Sequence, residues 1–171
     1  MQNVRVAAIA AMAGRQRIIG RKGILPWSNL PADLKHFKDL TEGSIVVMGP
    51  ATWESIPPQF RPLRNRQSIV VASRGGEFPG ARTAHSLTEA CGLYDLPGET
   101  RTVFIIGGES VYRPAIEHFA DELFLTQIDL NIPPEPNDKH FPEYEHLFNL
   151  VEEEVVEDSG ITLTFQRWVR K

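Results

Sequence analysis

Four short runs of nearly unbroken apolar residues, at 4–12, 44–48, 67–72 and 102–106, constrain this chain more than any other feature. A strand with one wet face alternates polar and apolar residues. A run such as Val6-Ala7-Ala8-Ile9-Ala10-Ala11-Met12 must instead be covered on both faces, as strands are in a mainly parallel sheet. Helical segments fall between the runs, and a further strand is expected over Asp121 to Asp129. The end of the chain differs: 150–157 and 161–169 flank Ser159-Gly160, and Ile161, Leu163 and Phe165 alternate with Thr162, Thr164 and Gln166. That is the pattern of an antiparallel hairpin with one exposed face. The expected architecture is α/β: a single domain over 1–171, strands alternating with helices and closed by a C-terminal hairpin.

The stretch from Ile24 to Thr41 places one acid in an apolar stripe. A helix starting near Leu30 or Pro31, where proline loses no hydrogen bond, carries Leu30, Asp33, Leu34, Phe37 and Thr41 at spacings of three and four. A desolvated carboxylate holds its proton more tightly, which suits proton chemistry. An early-helix acid can also simply complement the helix dipole from a solvated position. Before the helix, Gly20 and Gly23 flank a basic segment and Leu25-Pro26-Trp27 brings in an indole, the makeup of a mobile loop closing over a pocket.

Three strand ends carry glycine or small polar residues: Gly49 to Thr52, Ser73-Arg74, and Gly107 to Ser110. Ligands of open α/β sheets bind off such ends, and glycine lets backbone approach a pyrophosphate, so together they suggest an extended nucleotide. Neither a G-x-G-x-x-G fingerprint nor a P-loop is present. Ser86-Leu87-Thr88-Glu89 reads as a capping box opening a further helix. Residues 57–66 form a proline-rich connection, and 131–142 form an acidic, proline-rich loop.

Composition removes other classes. A formal charge of −4 without a long basic run argues against nucleic acid as partner, and the first apolar run is too short to cross a bilayer and lacks a signal-peptide cleavage pattern. The one cysteine, Cys91, reads as a core residue and points to the reducing cytoplasm. The five histidines show no metal-ligand spacing, so no metal is expected. No strand or helix carries a surplus apolar face, so a monomer is expected.

Taken in order, Ile19-Gly20, Leu25-Pro26-Trp27 with Leu30-Pro31-Ala32-Asp33-Leu34 and Phe37, Met48-Gly49 with Thr52-Trp53-Glu54-Ser55-Ile56, Arg61-Pro62-Leu63 with Arg66, Ser73-Arg74, Ile106-Gly107-Gly108 with Val111-Tyr112, Leu125-Thr126 and His140-Phe141-Pro142 resemble the dihydrofolate reductase family over nearly the whole chain. The resemblance implies an eight-stranded, mostly parallel sheet flanked by helices with a C-terminal antiparallel hairpin. It implies NADPH-dependent reduction of 7,8-dihydrofolate to 5,6,7,8-tetrahydrofolate, with hydride transfer to C6 and protonation of N5 promoted by Asp33. Trp27, Leu25, Tyr112 and Thr126 would stand with Asp33 around the reacting centre. Ile9, Ala11, Leu34, Phe37, Ile56, Leu63 and Ile106 would line the substrate pocket, with Arg66 gripping the α-carboxylate of the glutamate tail. Ala11, Ile19, Gly20, Gly49, Thr52, Ser73, Arg74, Gly107, Gly108, Ser110 and Val111 would hold the cofactor.

Three positions depart from the family pattern. Pro50, followed by Ala51, stands where a basic residue usually follows Met-Gly and leaves Arg74 as the cation for a 2′-phosphate. Glu109 follows the glycine pair, where a carboxylate would repel a pyrophosphate unless it points away. Ser28 reads as a one-residue insertion between the lid tryptophan and the helix. Two rival readings stay open on the sequence: a reductase of the same fold acting on a riboflavin-pathway pyrimidine, and a nucleotide-binding module without turnover.

Overall fold

The structure is a computed structural model that describes residues 4–27 and 29–171; the expected Ser28 insertion lies outside the described residues. Strands β1 (Val6–Ala13) and β2 (Ile18–Gly20) lead to helix α1 (Pro31–Thr41), then β3 (Ile45–Met48), α2 (Pro50–Ser55), β4 (Gln67–Val71), β5 (Arg82–Ala84) and α3 (Leu87–Gly92). Strand β6 (Val103–Gly107) precedes α4 (Glu109–Pro114), and a π-helical turn over Ala115–Phe119 continues it. The chain ends in β7 (Glu122–Ile128), β8 (Lys139–His140), β9 (Phe148–Asp158) and β10 (Ile161–Arg170).

One sheet runs in the order β5-β4-β3-β6-β1-β7-β10-β9. Every pairing from β5 to β7 is parallel, and β10 is antiparallel to both β7 and β9. The eight-stranded, mostly parallel sheet with its terminal hairpin is therefore present. Two short strands add to it, β2 pairing antiparallel with β1 and with β8. Those two, and β5, replace segments expected to be loop or left unassigned, because strands of two or three residues carry no readable periodicity.

Burial follows the pleat. Val6, Ala8, Ala10 and Met12 of β1 join Ile45 and Val47 of β3 in the core on one side of the sheet. Ala7 and Ile9 join Val46 and Met48 in the core on the other. Successive side chains point to opposite faces and both faces are covered, which is why these strands read as unbroken apolar runs. Trp53 and Cys91 are buried in these cores, as expected of packing residues. Strand β9 is the free outer edge, and Glu152, Glu153, Glu154 and Glu157 charge it against pairing with another strand.

The capping box at α3 differs in detail. Ser86 Oγ accepts from the Glu89 N–H at 3.1 Å, but Glu89 Oε2 returns to the N–H of His85, one residue before the cap, at 2.7 Å.

Candidate functional site

Helix α1 starts with Pro31 in its first turn, and its N-cap residue Leu30 offers no side-chain cap. The cap comes from the far end of the chain: Asp158 Oδ2, at the turn joining β9 to β10, accepts a 2.7 Å hydrogen bond from the Ala32 N–H. At the other end, Thr41 is fully buried and its Oγ1 donates to Phe37 O at 2.8 Å. Leu30 is buried too, whereas Leu34, in the middle of the helix, is 53% exposed. The stripe read as one apolar face is thus fastened at its ends and open at its centre, and Leu25 in the preceding loop is open as well.

Asp33 sits half-buried in the first turn, and Thr126, buried on β7, donates a hydrogen bond to its carboxyl. Burial raises its proton affinity; the Thr126 bond and nearby His36 oppose that rise without overcoming it. Beside it, Tyr112 on α4 is buried, and its hydroxyl donates to Ile9 O at 2.6 Å. Burial, reinforced by the Asp33 charge, pushes the phenol's ionisation well above its usual range, so it remains neutral.

The structure gathers many of the expected site residues. Ile9, Phe37, Ile56, Leu63 and Ile106, drawn from β1, α1, the end of α2, the following connection and β6, belong to one apolar cluster. Ala11 and Trp27 each pack against a neighbouring cluster that contains Leu30 and Ile128. Arg66 is placed at the rim of the first: its guanidinium lies 6.0 Å from the Phe37 ring centroid, its Nη1 donates to Thr41 Oγ1 at 3.1 Å and its Nε to Arg64 O at 2.9 Å. Partial burial makes the guanidinium somewhat easier to deprotonate, which leaves it charged and less well hydrated.

The parallel strands β3 and β6 end side by side, with Gly49 N–H donating to Gly107 O at 2.8 Å. A cis peptide joins Gly107 to Gly108. A Cβ at Gly107 would stand 2.9 Å from Thr52 Oγ1, and Gly107 also adopts φ 143°; a Cβ at Gly49 would stand 3.3 Å from Val111. Gly107 therefore meets Thr52 at a distance only glycine permits and Gly49 meets Val111 closely, which leaves a smooth backbone cradle at the carboxyl ends of two strands, the place where open α/β sheets bind ligands. Glu109 pairs along α4 with Arg113, at 3.3 Å. Ser110 is exposed in the first turn of α4, and Ser73 and Arg74 are exposed after β4. Ile19 packs on the core, and Gly20 belongs to β2.

The loop over 14–27 is more structured than a glycine-flanked flexible segment. Arg21 and Ile24 exchange backbone hydrogen bonds of 2.8 and 3.1 Å around Lys22 and Gly23, both at positive φ. Arg21 then grips Asp138, Nε to Oδ1 at 2.8 Å and Nη2 to Oδ2 at 2.9 Å, and donates to Pro133 O. The Asp158 cap, the Arg21–Asp138 pair and the seat of His36 described below escaped the sequence. Asp-Ser-Gly signals only a turn, and nothing local names a partner more than a hundred residues away.

A mainly parallel α/β sheet with a glycine cradle at its central strand ends and one partly desolvated acid beside an apolar wall is the frame of a nucleotide-binding enzyme. The family model described as dihydrofolate reductase matches residues 5–170. The chain belongs to the dihydrofolate reductase family, oxidoreductases that reduce dihydrofolate to tetrahydrofolate. Similar proteins include dihydrofolate reductase type 3 of Salmonella typhimurium, 41% identical over 141 residues that cover 81% of this chain and 79% of that one. The dihydrofolate reductase of Bacillus subtilis is 39% identical over 130 residues, 75% of this chain and 71% of its own length. That of Mycobacterium tuberculosis is 37% identical over 127 residues, 73% of each. Among the described residues no helix is long and apolar enough to cross a membrane.

Proposed function

We propose that this chain, as one domain over 1–171, reduces 7,8-dihydrofolate to 5,6,7,8-tetrahydrofolate with NADPH, and that Asp33 promotes protonation of N5. The observation that carries the reading is Asp33 itself: a carboxyl half-buried beside an apolar wall, fixed by Thr126 and holding its proton more tightly than usual. A group of that kind can face a flat heteroaromatic amidine with two hydrogen bonds and manage one proton. When bound, the nicotinamide supplies the hydride for C6, and this chain positions both rings.

Gly49, Gly107, Gly108, Thr52, Ser110 and Val111 would hold the dinucleotide at the glycine cradle, with Ala11, Ile19 and Gly20 along its other side and Ser73 and Arg74 at the 2′-phosphate. Ile9, Ala11, Phe37, Ile56, Leu63 and Ile106 would bury the pterin and aminobenzoyl rings. Leu25 and Leu34 are apolar groups left open on the loop and on α1, and they would cover a planar ligand and exclude water from it. Trp27 and Tyr112 would keep the loop and the nicotinamide side in position, and Arg66 would pair its fork with the glutamate α-carboxylate.

The test is the loss of nicotinamide absorbance with dihydrofolate, comparing NADPH with NADH across pH. Oxidation that requires both substrates, favours NADPH and slows as pH rises supports the reading. Arg66→Leu should raise KM for dihydrofolate and leave that for NADPH in place. Cofactor binding without oxidation would overturn the assigned reaction.

A further inference from the structure

His36 follows Asp33 by one turn of α1 and lies on the same side of the helix. Its imidazole stacks on the Phe165 ring of β10, centroids 4.0 Å apart and planes 15° from parallel. Phe165 is directly opposite Thr126 on β7, and Thr126 is the donor to the Asp33 carboxyl. Asp33, Thr126, Phe165 and His36 thus close a ring between α1 and the sheet, two of its members ionisable. On its other side Phe165 is opposite Glu154 of the edge strand. We propose that His36 is a positioning residue for Asp33: clamped on Phe165, it fixes the first two turns of α1 over β7 and β10 and links its own protonation to that of the acid.

The inference rests on Asp33 being the acid of the proposed reaction. The groups that face the imidazole are Asp33 and Asp39 from α1, Glu154 from β9 and uncharged Phe165 from β10. The three carboxylates favour imidazolium, and burial, the larger effect, disfavours it, so the imidazole's proton affinity falls below its usual value. Asp33 moves the other way. The two shifts run in opposite directions, and neighbouring groups whose charges interact titrate as a coupled pair. An imidazolium favours the carboxylate; once His36 is neutral, Asp33 binds its own proton more tightly. The charge on His36 therefore sets how much of the rise caused by burial Asp33 keeps: imidazolium holds its proton affinity down, and a neutral imidazole leaves the effect of burial opposed only by Thr126.

The experiment is an NMR titration of the full chain that follows the His36 imidazole and the Asp33 carboxyl. Asp33→Asn should lower the His36 pKa, and His36→Phe, which keeps the stack, should raise the Asp33 pKa by the same amount, because linkage is reciprocal. Glu154→Gln, on the exposed edge strand, should lower the His36 pKa without altering α1. In turnover, His36→Phe should move the alkaline fall of the kcat/KM profile upward and leave KM for NADPH unchanged. An unchanged titration of the remaining partner in Asp33→Asn and in His36→Phe would overturn the linkage, and if His36→Phe failed to fold, an unchanged His36 titration in Asp33→Asn would overturn it alone. Linked titrations in a protein that does not oxidise NADPH with dihydrofolate would support the linkage and overturn the assigned reaction.

Discussion

Asp158 and Ala32, 126 residues apart, share the 2.7 Å hydrogen bond that caps the helix bearing Asp33. The neighbouring Leu30 has no side-chain oxygen for the task, and proline in the first turn contributes no N–H to be capped.

Replacing Asp158 by Ala should therefore cost about 1 kcal/mol, the usual loss for a cap. For a chain of this size that corresponds to a fall in Tm of about 2–4 °C. Differential scanning calorimetry checks it, and an unchanged Tm would remove the cap from the account of how α1 is held.

Asp33→Asn should cut turnover by about a hundredfold or more, the range of a lost proton-transfer group. It should also stabilise the fold near neutral pH. The native carboxyl binds its proton more tightly than the unfolded one, so its favourable contribution is complete below the unfolded value and is lost as pH rises through the folded value. Denaturant unfolding of both proteins across pH 4–8 should show the variant's advantage growing with pH. A constant difference would contradict the desolvated setting.

Gly107→Ala should destabilise the protein by about 1–3 kcal/mol, because the new Cβ meets Thr52 Oγ1 at 2.9 Å and φ 143° strains any side chain. Its effect on NADPH binding should exceed its effect on dihydrofolate binding. Calorimetric titration with each ligand decides it; equal losses would mean that the cradle does not belong to the dinucleotide.

The Arg21–Asp138 pair predicts a local effect. The Asp138 carboxyl is only 1% exposed, and Arg21 with the Glu135 N–H holds its pKa down to about 2. Its contribution is present above the ordinary carboxylate range and vanishes as pH falls through about 2. Asp138→Asn should speed hydrogen exchange at the Arg21 and Ile24 amides near neutral pH and leave β1 and β6 protected. Uniform loss of protection would place the pair in global stability instead.

What the sequence carried and what it withheld divide by distance along the chain. The unbroken apolar runs of β1 and β3 announced strands covered on both faces, and the spacing from Leu30 to Thr41 announced α1, because those signals are written in neighbouring residues. Glycine at 49, 107 and 108 marked the strand ends that the structure lays side by side. Leu34 was read into one apolar stripe with Leu30, Phe37 and Thr41, but it stands exposed between buried Leu30 and Thr41, a property of the partners of α1 and not of its own spacing. Strands β5 and β8 are too short to show a period, and the grip of Arg21 on Asp138 joins residues 117 apart.

The terminal hairpin gives the order of synthesis a consequence. Helix α1 leaves the ribosome early, but its cap is Asp158 and the ring beneath His36 is Phe165, both translated more than a hundred residues later. Until the β9–β10 hairpin has emerged and added itself beside β7, the helix that carries Asp33 lacks its cap and the ring on which His36 stacks. A nascent chain halted before that point would hold most of the parallel sheet with α1 still uncapped and His36 unstacked, so the final setting of the helix that carries Asp33 arrives with the last strands made and not gradually with length.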